Sequence, residues 1–250
     1  MKISVVTASY NSEATIGFTI DSFLEQNHPE KEMLVIDGAS SDATLKIIES
    51  FGSDAIRVFS AKDQGVYDAM NKGLHLFQGD AVGFLNSDDT FHDSRALGEI
   101  AAGMQDCDIV YGDLNMVSDH RTKRLFRSWR GGSFKRNSFQ LGWVPPHPTF
   151  YMRREVVQEV GNYDLSYITT ADYDYMLRAL ALNNFRVRYI PRVIADFQMG
   201  GISTRGWRVT FRGNLECLRS RREHLNAPII DPAFFLRFLR RIFQIRGSGL

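Results

Sequence analysis

The chain has 250 residues and a mass of 28.5 kDa, enough for one large domain or two small ones with a full apolar core. Its net charge of +1 excludes a globally basic nucleic-acid-binding protein, and its 44% hydrophobic residues are typical of a soluble globular one. Cys107 and Cys217 are too few for a disulfide framework and too far apart for a CxxC zinc motif. Without a signal-peptide pattern or an apolar stretch of ~20 residues, we expect a cytoplasmic protein.

Strand patterns alternate with helix patterns through the first 110 residues. Short apolar runs predict four strands, at residues 3–7, 33–36, 56–59 and 81–85. Apolar residues at helical spacing predict three intervening helices, with inward faces formed by Ile16, Ile20, Phe23 and Leu24, by Leu45, Ile48 and Phe51, and by Val66, Met70, Leu74 and Phe77. We expect Asn11 or Ser12 to cap the first helix, Ser41 or Asp42 to cap the second, and Gly52 to end it. This alternation predicts an α/β fold with a buried, mostly parallel sheet.

Polar segments follow the four predicted strands, at residues 7–11, 37–42, 61–65 and 86–89. In a parallel sheet the carboxyl ends of the strands form the ligand-binding edge, so we expect a shallow, acidic, hydroxyl-lined cleft there. An acidic cleft repels a free diphosphate unless a divalent cation such as Mg²⁺ or Mn²⁺ bridges them. Asp88 and Asp89 suit that role, although a solvated turn explains the pair equally well, and Asp37 and Asp63 also have turn-like alternatives.

Two common phosphate-binding motifs are missing from the sequence. No G-x-G-x-x-G follows the first predicted strand, and no G-x-x-x-x-G-K-[ST] occurs. These absences argue against a dinucleotide-dependent dehydrogenase and a P-loop NTPase.

The second half is less regular and more basic. Residues 121–136 contain seven Lys and Arg, no acidic residue, and the aromatic residues Phe126, Trp129 and Phe134. Asp172 opens a predicted helix. Residues 232–243 predict a basic amphipathic helix, which suits an anionic membrane surface or packing on the protein itself equally well.

In order and spacing, the segments at 5–11, 35–44, 63–65 and 84–89 resemble family 2 glycosyltransferases, and the similarity covers about residues 1–200. The resemblance implies the GT-A fold, with a Rossmann-like, mostly parallel central sheet flanked by helices. It implies a domain at 1–204, divided into a nucleotide-sugar-binding half at about 1–112 and an acceptor half at 113–204. The basic and apolar pattern of the remaining residues predicts a basic amphipathic helical C-terminal extension at 205–250. The resemblance also implies inverting transfer of a sugar from a nucleotide diphosphate donor, with Mg²⁺ or Mn²⁺ as cofactor.

The resemblance assigns roles to single residues. Asp172 matches the catalytic base, Asp89 the metal ligand, and donor binding falls to Thr7, Ala8, Ser9, Asp37, Asp63 and Asp88. Further candidates are Tyr10 and Asn86 in the same segments, His147 in a proline-rich loop, Asp174 as an alternative base, and Gly200 and Gly201 in a glycine pair. Two positions depart from the family pattern, because Asn86 stands where many members have Asp and Ala171 where Glu is frequent.

The resemblance further suggests a saccharide acceptor, lipid-linked and part of bacterial surface-polysaccharide assembly, met at the inner face of the membrane. No nucleic-acid partner is expected. Two other functions stay open at this point. A sugar nucleotidyltransferase would normally carry a Gly-rich, basic loop where this chain has Ser9-Tyr10-Asn11-Ser12. A non-catalytic nucleotide-sugar-binding protein would share the same fold.

Overall fold

The computed structural model describes residues 1–119, 122, 124–199, 207–228, 231–234 and 236–237. Within them one mixed sheet is formed by the strands β1 (Ile3–Ser9), β2 (Lys31–Asp37), β3 (Ile56–Ser60), β4 (Ala81–Phe84), β5 (Asp89–Phe91), β6 (Ile109–Val117), β7 (Leu125–Trp129), β8 (Tyr151–Arg153) and β9 (Val187–Gln198). Their order is β3-β2-β1-β4-β8-β6-β9-β5, and β7 pairs with β6. The first four strands are parallel, as are β6 and β9, whereas β8 is antiparallel to β4 and β6. The expected boundary between the two halves, at residue 112, lies inside β6, so the sheet continues across it.

The helices are α1 (Ile16–Leu24), α2 (Thr44–Ser50), α3 (Val66–Leu76), α4 (Ala96–Gly103), α5 (Arg154–Val160), α6 (Ala171–Ala181) and α7 (Trp207–Leu225), with short 3₁₀ turns at Phe139–Leu141 and His147–Thr149. Alternate residues of β1 face two separate cores, with Val6 in one and Val5 in the other, so both faces of the sheet are covered. Among the described residues, no helix combines the length and the apolar character needed to cross a membrane.

The predicted α/β class and the alternation of elements are confirmed, with differences at the ends. The first helix begins at Ile16 and is not capped by Asn11 or Ser12. The Asn11 side chain instead accepts a hydrogen bond from the Ser41 N–H at 2.9 Å, while the Asn11 backbone has φ of 47°. The predicted end of the second helix agrees with the structure, because Gly52 follows it in the left-handed region with φ of 55°.

Candidate functional site

The carboxyl ends of β3, β2, β1 and β4 lie side by side at one edge of the sheet. Ser9 pairs with Asp37 across β1 and β2, and Asp37 pairs with Ser60 across β2 and β3. The loops that leave β1 and β2 are joined by side chains, since the Ser12 N–H donates to Thr44 Oγ1 at 2.7 Å and the Asn11 N–H to the Ser40 hydroxyl at 2.9 Å. These hydrogen bonds connect the loops after β1 and β2 and hold them side by side at this edge.

Asp37 lies beneath this edge and not on its surface. Its carboxylate is fully buried and accepts hydrogen bonds from the Ser40 N–H at 2.9 Å, from the Ser60 hydroxyl at 2.7 Å and from the Ser40 hydroxyl. These bonds hold the loop after β2 in shape. Thr7, Ala8 and Ser9 are likewise buried in β1, and the hydroxyls of Thr7 and Ser9 have no hydrogen-bond partner among the described residues.

A small cradle opens where β1, β2 and β3 end. A Cβ placed on Gly38 would lie 2.8 Å from Asp63 Oδ2 and 3.3 Å from the Tyr10 ring, so the glycine leaves room for both side chains next to the backbone. Tyr10 is 64% exposed and Asp63 is half-buried, so both are accessible. An aromatic face beside a carboxylate can stack on a planar ring and accept a hydrogen bond from it.

Asn86, Asp88 and Asp89 follow β4. Asp89 has no exposed surface, and among the described residues neither its carboxylate oxygens nor Asn86 Oδ1 has a hydrogen-bond partner. Burial raises the pKa of Asp89 well above its ordinary value, and the charge of the adjacent, half-buried Asp88 adds to the rise. The Gln198 backbone and the Asn86 side chain lie near the carboxylate and oppose this rise in pKa. Neither contact meets the distance and angle of a hydrogen bond.

These unpaired oxygens fit a divalent cation. Buried acceptors without donors are costly, and a bound cation would satisfy Asp89 and Asn86 together. In the described part of the chain, no three His, Cys, Asp or Glu side chains come together as a complete metal site. The remaining ligands would therefore come from phosphate oxygens and water, as is usual for Mg²⁺.

A cleft of about 480 Å³ brings the predicted base together with the segment after β4, because Asp172 and Asn86 both line it. Asp172 stands half-buried in the first turn of α6, and the Tyr67 hydroxyl donates a hydrogen bond to its Oδ1 at 3.2 Å. Tyr67 lies on α3, so two helices hold the carboxylate in place. Nothing in the sequence distinguished Tyr67 from its neighbours in the helical pattern.

His147 also lines the cleft and is held rigidly. Its Nε2 lies 3.0 Å from the Tyr163 hydroxyl, and its ring stacks on Phe84 with the centroids 5.3 Å apart. Burial lowers the pKa of His147, although the charge of Asp172 opposes the shift. The imidazole is therefore neutral at pH 7, and it forms part of the wall of the cleft that Asp172 also lines.

Asp174 has different surroundings from Asp172. It is buried and accepts hydrogen bonds from Arg178 Nε at 2.8 Å and the Ser220 hydroxyl at 2.8 Å, and His224 Nε2 lies 3.0 Å away. These contacts join α6 to α7, and Asp174 is absent from the described lining of the cleft. Gly200 and Gly201 lie outside the described residues, as does most of the predicted C-terminal helix.

The charge of the cleft differs from the acidic character expected from the strand ends. The charged residues in its described lining are Asp172, Arg127, Arg130 and Arg237. The same lining includes the aromatic side chains of Phe126, Trp129 and Trp143. The difference arises because Asp37 and Asp89 are buried behind the surface, whereas the basic and aromatic segment around β7 forms a wall.

Comparison with known proteins gives the family of the chain and its fold. Residues 4–161 match the sequence model described as Glycosyl transferase family 2. A PGL/p-HBAD biosynthesis glycosyltransferase of Mycobacterium bovis is 31% identical over 207 residues, covering 80% of this chain and 78% of the relative. The crystal structure of S. aureus TarS 1-349 in complex with UDP-GlcNAc superposes with a TM-score of 0.68 at 20% identity, covering 100% of this chain and 75% of the other. The mannosyltransferase PcManGT of Pyrobaculum calidifontis, in complex with GDP-Man and Mn²⁺, gives 0.64 at 15% identity, covering 100% and 76%. These neighbours confirm the predicted GT-A fold.

Proposed function

Because the chain belongs to glycosyl transferase family 2, we propose that it transfers a sugar, with inversion, from a nucleoside diphosphate sugar to an acceptor hydroxyl. The observation that carries this proposal is the shared cleft, in which Asp172 and Asn86 both contribute to the walls. A direct displacement at a sugar carbon requires a base and a group that can hold a phosphate-bound cation, both facing one cavity.

The donor is proposed to lie along the carboxyl edge of β1, β2 and β4. Its base would enter the cradle between Tyr10 and Asp63, where an aromatic face and a carboxylate are both accessible. Its ribose and diphosphate would then extend past Ser9 toward Asp88 and Asp89. Support comes from the nucleotide-sugar complexes of TarS and PcManGT, which share this fold.

Mg²⁺ or Mn²⁺ is proposed as the cofactor, held by Asp89 and the Asn86 side-chain oxygen. When bound, the cation would neutralise the negative charge of the donor diphosphate. The unpaired buried oxygens of these two residues support the assignment, as does the Mn²⁺ in the PcManGT complex. The Asn at 86 offers a neutral oxygen, so we expect weaker metal binding than with a second carboxylate there.

Asp172 is proposed as the general base. Its carboxylate would take the proton of the acceptor hydroxyl while that oxygen forms a bond to the anomeric carbon and the bond from that carbon to the diphosphate breaks. The Tyr67 hydroxyl occupies Oδ1, which leaves Oδ2 for the acceptor. A single displacement of this kind inverts the configuration at carbon, and general-base catalysis contributes roughly 10²–10⁴ in rate.

The acceptor is proposed to be a lipid-linked saccharide of polysaccharide biosynthesis, met at the cytoplasmic face of the membrane. The wall formed by Phe126, Trp129, Arg127 and Arg130 supports this class, because aromatic faces pack on sugar rings and guanidinium groups bind phosphate. The membrane contact rests on the basic, aromatic sequence of residues 232–243.

A panel of UDP- and GDP-sugars, incubated with Mn²⁺, Mg²⁺ or EDTA and with extracted lipid acceptors, tests the proposal. We expect metal-dependent release of the nucleoside diphosphate, whereas a sugar nucleotidyltransferase would release pyrophosphate from a nucleoside triphosphate. Asp172→Asn should lower transfer by about 10²–10⁴ while nucleotide affinity stays unchanged. Asp106→Asn, at a side chain that is 81% exposed, is the matched control and should transfer normally. Full transfer by Asp172→Asn would reject the assigned base, and no turnover of any donor by the wild type would reject the activity.

A further inference from the structure

Arg237 enters the cleft from the C-terminal part of the chain. Its guanidinium carbon lies 4.7 Å from the centre of the ring of Tyr173, the residue that follows Asp172. The Arg237 side chain also lines the cleft. Arg237 Nη1 is buried, and among the described residues it has no hydrogen-bond partner. An arginine stacked on an aromatic ring retains its in-plane donors for another ligand.

A buried ion pair holds the segment that carries Arg237. Arg221 of α7 is fully buried, and its Nε donates to Asp231 Oδ2 at 2.6 Å. Arg221 Nη1 donates to the Tyr173 hydroxyl at 2.9 Å, so one tyrosine contacts both arginines. The segment begins at Asp231, whose Oδ1 accepts the Ala233 N–H at 2.9 Å. Arg221 is therefore a positioning residue for Arg237.

Gly142 permits the close approach of this segment. It has φ of 72°, and a Cβ placed on it would lie 3.0 Å from Arg237 Cγ and 3.1 Å from the Ala233 carbonyl oxygen. The packing at this point is therefore tight, which fixes the stem of Arg237 and limits where its guanidinium can point.

The charges leave Arg237 without a described counter-ion. Asp231 neutralises Arg221, whereas none of the described carboxylates forms an ion pair with Arg237. Arg127 and Arg130 add two further positive charges to the same cavity, against the single carboxylate of Asp172. A fixed guanidinium with an unpaired buried donor favours a planar or tetrahedral oxyanion.

We infer that Arg237 forms a phosphate subsite on the wall of the cleft, assembled by the Arg221–Asp231 pair. This inference rests on the proposed function, because it places a phosphate group beside the proposed base. The phosphate can belong to the diphosphate of the donor or to a phosphorylated acceptor, and both present the same oxyanion chemistry. Arg237 then helps to select substrates by charge, from a part of the chain that the match to the family at residues 4–161 does not include.

Calorimetric titration with inorganic pyrophosphate in EDTA-containing buffer tests the subsite without any metal or sugar. We expect the wild type to bind pyrophosphate. Arg237→Gln should bind it at least roughly tenfold more weakly, because a charge-assisted hydrogen bond is lost. Arg237→Lys keeps the charge and the aliphatic stem and should be intermediate. Arg188→Gln is the charge-matched control, since Arg188 is 44% exposed on β9 and does not line the cleft.

A repeat with saturating UDP and Mn²⁺ identifies the source of the phosphate. Loss of pyrophosphate binding assigns the subsite to the donor, and retained binding that Arg237→Gln still weakens assigns it to the acceptor. No pyrophosphate binding by the wild type, or equal affinities for the wild type and Arg237→Gln, would overturn the subsite. These binding measurements do not depend on turnover. A protein that transfers no sugar would reject the proposed function, whereas the effect of Arg237→Gln on pyrophosphate affinity would still be measured independently.

Discussion

Replacement of Asp89 by Asn should make the metal-free protein more stable while it removes the response to Mn²⁺. Asp89 is fully buried, and both of its oxygens lack hydrogen-bond partners among the described residues. An unsatisfied buried polar group costs about 1–3 kcal/mol, and more when it is charged. The amide keeps the shape of the side chain, removes the charge and brings a donor close to the unpaired Asn86 oxygen.

We therefore expect the free energy of unfolding to rise by about 1 kcal/mol or more in EDTA at pH 8. For a domain of this size that gain corresponds to an increase of roughly 2–4 °C in the melting temperature. In the wild type, UDP with Mn²⁺ at 100 times the dissociation constant should add about 2.7 kcal/mol, because the ligand binds only the folded state. In Asp89→Asn the contribution of Mn²⁺ should disappear.

Thermal unfolding of both proteins, with EDTA, with UDP alone and with UDP plus Mn²⁺, measures all of these quantities. Asp106→Asn removes the same charge from an exposed site and should match the wild type in every buffer. The reasoning would be refuted if Asp89→Asn melted below the wild type in EDTA and still gained stability from Mn²⁺. That pair of results would mean that the carboxylate is satisfied within the protein and holds no cation.

Two further substitutions test the roles assigned within and beside the cleft. Burial lowers the pKa of His147, so protonation favours the unfolded state, and the wild type should lose stability as the pH falls below the ordinary value of about 6.5 toward the lowered pKa. Urea unfolding at pH 7.5 and 5.5 should show a smaller loss for His147→Gln, and equal losses would contradict a buried neutral imidazole. Asp174→Asn leaves Arg178 without its buried carboxylate and should lower the free energy of unfolding by about 3 kcal/mol, with transfer per folded molecule retained. If this variant stayed stable but lost transfer, Asp174 would replace Asp172 as the proposed base.

The periodicity of the sequence predicted the parallel half of the sheet because each strand there is a continuous apolar run followed by a polar end. β1 and β2 are buried along almost their whole length, which is the pattern that such runs indicate. The antiparallel strands β5 and β8 have only three residues each, too few for any period to be visible. Their existence depends on pairing with β9 and β4, which no local pattern encodes.

The positions of the candidate acidic residues at the strand ends were predictable from the sequence, but their surroundings were not. The order of the segments placed Asp37 and Asp89 at one edge, but it did not show that both are buried behind that edge. Tyr67 and Arg237 are distant in sequence from Asp172. Tertiary packing alone brings them to the cleft that Asp172 lines. The cleft has a basic and aromatic wall, where an acidic one was expected, for the same reason, because tertiary packing brings residues of β7 into one cleft with Asn86 and Asp172.

The central claim is that Asp89 holds a cation against the donor diphosphate, beside the cleft that Asp172 and Asn86 line. Crystals grown with UDP and Mn²⁺, with data collected at the manganese absorption edge, test it most directly. The account predicts one anomalous peak within bonding distance of Asp89 and of a phosphate oxygen, in the cavity that Asp172 lines. An ordered UDP with its phosphates remote from Asp89, and manganese absent from that carboxylate, would contradict it.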